Sequence, residues 1–139
     1  MCTIDPDSRW NFFVHNYELE PRPDGVPYDD DGPPDLDVEV VSPTTTVRIA
    51  IIAGPDNASS SEFTPPRLIG ANIPATALSS YLSFRVSDRD ELYDDLLGAY
   101  TWFWEIPFDG SIRTAVFPPD PLGPSAGFRI QWHLERADR

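Results

Sequence analysis

The chain has 139 residues, enough for one domain, with 40% hydrophobic residues and 17 aromatic side chains to build a core. It holds 16 Pro and 8 Gly, which disfavours a mostly helical protein, because proline inside a helix removes a hydrogen bond and clashes with the preceding turn. The net charge is −13, with all ten basic residues Arg, which argues against nucleic acid and against a polybasic membrane patch and is compatible with a hard cation.

Residues 1–8 read as a flexible polar arm and residues 9–139 as a single domain. Trp10 to Leu19 is rich in aromatic and β-branched residues and reads as a strand. Pro21 to Asp35 is a loop dense in Pro, Gly and Asp. Leu36, Val38 and Val40 alternate with Asp37 and Glu39, the period of a half-buried strand. Val47 to Ile52 is apolar on both faces and fits a central strand, and Gly54 to Pro66 reads as a loop. Leu82, Phe84 and Val86 alternate with Ser83, Arg85 and Ser87. Glu91 to Tyr100 has two readings, a loop or a short amphipathic helix through Leu92, Tyr93, Leu96, Leu97 and Tyr100. Tyr100 to Ile106 and Ile112 to Phe117 give two more strands. Phe128, Ile130, Trp132 and Leu134 then alternate with Arg129, Gln131, His133 and Glu135, which closes the domain. The expected architecture is an all-β, antiparallel Greek-key β-sandwich of about 7–8 strands.

Cys2 is the one cysteine, so neither an internal disulfide nor a cysteine zinc site is expected. The start has no basic n-region followed by an apolar h-region, so no signal peptide is expected. A cysteine at that position is also where a processed bacterial lipoprotein carries its lipid, which would put the domain at a cell envelope; otherwise the chain reads as soluble. No apolar run approaches the length of a membrane span.

The acidic residues are concentrated. Asp24, Asp29, Asp30, Asp31, Asp35 and Asp37 fall in one short stretch, and Asp88, Asp90, Glu91, Asp94 and Asp95 in another. Even spreading would place about four carboxylates in these stretches rather than eleven. Asp88 and Asp90 continue the parity of Leu82, Phe84 and Val86, so two carboxylates leaving a strand end can point into one space. Two such charges about 4 Å apart repel by ~4 kcal/mol at an effective dielectric near 20, a cost that a cation taking several oxygen ligands removes.

Asp29-Asp-Asp-Gly32-Pro-Pro-Asp35-Leu-Asp-Val38 resembles the first signature of the C2 domain family, Asp-x-x-Gly-x-Ser-Asp-Pro-Tyr-Val. Val86-Ser-Asp88-Arg-Asp90, ending in Asp95-Leu-Leu-Gly98, resembles its second, Val-x-Asp-x-Asp…Asp-Ile-Ile-Gly. The resemblance implies a C2-like sandwich with calcium ligands at Asp29 and Asp35 in the first loop and Asp88, Asp90 and Asp95 in the second, with Asp94 as an extra or substitute ligand. It also implies lipid-dipping residues at Leu92, with Tyr93 beside it and Tyr28 opposite. Leu36-Asp37 departs from the family's Pro-Tyr, and the second loop is one residue shorter before Asp95. No basic cluster stands where phosphoinositide-binding members carry lysines, so that activity is not implied.

Two functions follow as expectations. One is a calcium-dependent module for an anionic phospholipid surface or a protein partner. The other is a metal-free structural or interaction domain, surface-tethered through Cys2, whose acidic loops are solvated surface. Neither acidic run has EF-hand spacing, and no Walker, Gly-x-Gly-x-x-Gly or Gly-x-Ser-x-Gly motif is present, so the chain is not expected to be an enzyme. His133, on the polar face of the last strand, reads as a surface histidine.

Overall fold

The computed structural model describes residues 7–20, 35–42, 47–53, 58–78, 81–88, 95–103, 110–119 and 127–137. Eight strands and one helical turn are described: β1 (Arg9–Leu19), β2 (Leu36–Ser42), β3 (Val47–Ala53), β4 (Ser60–Pro74), α1 (Ala75–Leu78), β5 (Tyr81–Asp88), β6 (Asp95–Phe103), β7 (Arg113–Phe117) and β8 (Phe128–Arg136). The strands form two four-stranded sheets, ordered β4-β1-β8-β7 and β3-β2-β5-β6, with antiparallel pairing throughout. The expected antiparallel sandwich is therefore what forms.

Alternation decides which residues meet between the sheets. Leu36, Val38 and Val40 on β2, Leu82, Phe84 and Val86 on β5, and Phe128, Ile130, Trp132 and Leu134 on β8 are all buried. Trp132 sits where the sheets face each other. Its ring centroid lies 6.2 Å from Phe12 of the same sheet, and 5.3 Å from both Phe84 and Trp102 of the other. On β1 the buried set changes parity, from Trp10, Phe12 and Val14 to Tyr17 and Leu19. A bulge explains the change, since the register shifts between Val14 and Asn16 against both β4 and β8. Ser8, at the end of the segment read as an arm, is buried, accepts from Trp10 Nε1 at 2.9 Å and receives Ala75 N–H at 3.0 Å.

Three sequence readings are corrected. Val47–Ile52, expected as a central strand, lies in β3, an edge strand that among the described residues pairs only with β2 and leaves Ile51 exposed. The loop expected over Gly54–Pro66 gives way at Ser60 to β4, which continues to Pro74. Pro65, Pro66 and Gly70 hid this strand. They are tolerated because β4 is a sheet edge, and because its pairing with β1 jumps from Glu62 to Arg67, leaving the proline pair outside the ladder. The helix considered for Glu91–Tyr100 is absent from the described part, where Asp95–Phe103 is strand β6. Residues 91–94 lie outside the described residues.

Gly98 shows how tightly β6 is packed. A Cβ there would overlap the ring of Tyr100. That ring cannot yield easily, because it stacks on Phe117 at 5.1 Å and on Phe128 at 5.3 Å. Gly98→Ala is therefore expected to cost about 1–3 kcal/mol, read as a lower urea midpoint at unchanged slope. A variant as stable as the parent would mean that the aromatic layer is loose.

Candidate metal site at the strand ends

β2, β5 and β6 place three of the predicted ligands side by side. Leu36, the first residue of β2, pairs with Asp88, the last of β5, and Asp88 pairs with Asp95, the first of β6. The hairpin register thus aligns Asp88 and Asp95 across neighbouring strands, and Asp35 stands one residue before the Leu36 partner. Asp35 N–H donates to Asp88 Oδ1 at 3.1 Å, and Asp35 also makes a parallel bridge to Ala58.

Asp88 continues the inward parity of Leu82, Phe84 and Val86 and is only 3% exposed. Burying a carboxylate is costly unless hydrogen bonds or positive charge compensate it. The Asp35 N–H supplies part of that compensation. A carboxylate fixed by a backbone donor at a strand end can serve as an oxygen ligand, and carboxylate donors suit calcium rather than a nitrogen- or sulfur-preferring metal.

Asp29, Asp90 and Asp94 lie outside the described residues, as do Leu92, Tyr93, Tyr28 and Cys2. Of Asp95 the backbone position is described. Among the described residues, no group of three or more His, Cys, Asp or Glu side chains is gathered closely enough to hold a metal ion. Asp35 and Asp88 are therefore the described part of the expected ligand set.

The fold can be compared with solved structures. A structure described as that of a C2 domain superposes with a TM-score of 0.58 over 92% of this chain and 98% of the other, at 15% identity. The chain has the C2 fold. The C2A domain of plant extended synaptotagmin 1 matches this C2-fold chain with a TM-score of 0.57 over 96% of it and 98% of that domain, at 12% identity. Human GIVD cytosolic phospholipase A2 matches with a TM-score of 0.51 at 15% identity; the match spans 96% of this C2-fold chain but 17% of the phospholipase. No family model matches the chain, and no curated protein matches it.

Proposed function

We propose that this chain is a calcium-binding C2-fold module, not an enzyme, that associates with an anionic membrane surface or a protein partner when calcium is bound. The observation that carries the reading is the buried Asp88 carboxylate fastened to Asp35 N–H at the shared end of β2 and β5. Asp35, Asp88 and Asp95, with Asp29, Asp90 and Asp94 from the adjoining sequence, would hold the ion. Bound calcium supplies positive charge to one end of a protein whose net charge is −13. Leu92, Tyr93 and Tyr28 would then meet the lipid, where burial of apolar area stabilises by ~25 cal/mol per Å².

A second reading rests on the same hydrogen bond. The Asp35 N–H to Asp88 contact ties the start of β2 to the end of β5, a purely structural role that suits a metal-free interaction domain. Tethering through a lipid on Cys2 belongs to this reading. Among the described residues no helix is long and apolar enough to cross a membrane.

Sedimentation with phosphatidylserine-containing vesicles tests the membrane half. Binding is expected in calcium, to weaken with added salt, and to be lost in EDTA. Leu92→Asp should weaken it without changing calcium affinity. A protein that takes up calcium yet ignores these vesicles at low salt would shift the function to a protein partner.

A further inference from the structure

The two histidines of the chain, His15 and His133, are 118 residues apart and meet across β1 and β8, with His15 Nε2 2.7 Å from His133 Nδ1. The ring centroids are 4.9 Å apart and the planes cross at 62°. The β1 bulge produces this meeting. Val14 and Asn16 pair with neighbours on both sides, whereas His15 is left out of both ladders. An inserted residue that re-aims one side chain is a recurrent device beside functional sites.

His133 is held from two further directions. Phe13 stacks on its ring at 4.9 Å with the planes 4° apart, and Glu135 Oε1 lies 3.4 Å from its Nε2. The His133 side chain is 14% exposed. With the Nε2 proton turned toward Glu135, Nδ1 carries a lone pair and faces His15 Nε2. One shared hydrogen then separates two imidazole nitrogens.

We propose that His15 Nε2 and His133 Nδ1 form a site for a divalent transition-metal ion that prefers imidazole, such as zinc, with Glu135 orienting His133 from behind. A histidine that binds a metal usually donates its other ring N–H to a carboxylate or carbonyl, and Glu135, 3.4 Å from His133 Nε2, is the carboxylate placed to take that N–H as the ring shifts. Zinc–nitrogen bonds of about 2.0–2.1 Å at a tetrahedral angle need the two nitrogens about 3.3 Å apart, so the rings have to part by roughly half an ångström. To ligate, His15 moves its single ring proton from Nε2 to Nδ1 by exchange with water, so that both facing nitrogens offer lone pairs to the metal and each imidazole stays neutral. Burial, and then the facing His133 ring, hold the His15 imidazole below its ordinary pKa, which favours the neutral form that a metal needs. With two protein donors the remaining positions go to water, and affinity is modest. This nitrogen site lies on the β4-β1-β8-β7 sheet, whereas the carboxylate site lies on the other, so the two differ in both place and metal preference.

The test is titration of the whole chain with zinc chloride near neutral pH in saturating calcium, following the histidine ring nitrogens by NMR. One equivalent of zinc should shift His15 Nε2 and His133 Nδ1, while magnesium should shift neither. His15→Gln and His133→Gln should each abolish the binding, with folding checked by circular dichroism. Glu135→Gln keeps both ligands and should weaken zinc binding about tenfold or more. Ring nitrogens unmoved at millimolar zinc, or zinc held equally well by both folded histidine variants, would overturn the proposal and leave the pair as a hydrogen-bonded strut between β1 and β8.

Discussion

Millimolar calcium is expected to raise the melting temperature of this domain by roughly ten degrees over its value in EDTA. A ligand that binds only the folded state adds ~2.7 kcal/mol when present at 100 times its dissociation constant. Magnesium should do much less, because it keeps its water and resists a many-oxygen cage. Asp88→Asn is the informative variant. Its amide oxygen can still accept the Asp35 N–H seen at 3.1 Å, so the strand-end contact survives while the charge is removed. The calcium shift should disappear, and the metal-free protein should be unchanged or slightly more stable as repulsion among the loop carboxylates falls. Asp120→Asn, outside both acidic clusters, should leave the calcium shift intact. Identical thermal scans in EDTA, magnesium and calcium would remove calcium from the function and favour the metal-free reading.

Asp88 was readable because parity is local. Three inward residues at 82, 84 and 86 fix the direction of the fourth, and Asp88 is indeed buried. Its meeting with Asp35 needed the register of β2 against β5, which a single strand pattern does not contain; the family resemblance put both residues in one site before the ladder showed them adjacent. β6 was harder. Its pairing with β5 skips Leu97 between Leu96 and Gly98, so Leu97 and Gly98 are both buried and the alternation is broken where a helical period could be read instead. β4 failed for the opposite reason, since its prolines are loop signals everywhere except at a sheet edge. The histidine pair was beyond local pattern altogether. His133 lies on the polar-parity face, but its side chain is 14% exposed and packed against Phe13 and His15 rather than a surface histidine, and nothing in either strand announces that β1 and β8 are neighbours or that a bulge turns His15 toward it. Long-range pairing is written in the sum of the core contacts and not in any one segment.

Trp132→Ala should be the most damaging single change, costing ~3–5 kcal/mol. The residue is fully buried at 0% exposure on a strand flanked by β1 and β7. Its ring meets Phe12 from its own sheet and Phe84 and Trp102 from the facing one, so truncation removes contacts that hold the two layers together. The void cannot close by moving β8 inward without breaking ladders on both sides. For comparison, Val116→Ala alters a side chain that is 67% exposed on β7 and should stay within about 0.5 kcal/mol of the parent. Urea titrations of the three proteins, with EDTA present throughout, measure both differences. A Trp132→Ala penalty below about 1 kcal/mol would contradict the packing of the two sheets on this ring. The same variant also separates core from site. Asp35 and Asp88 are fixed by the β2–β5 register rather than by Trp132, so a Trp132→Ala protein that still folds should keep its calcium-induced rise in melting temperature, starting from a lower value.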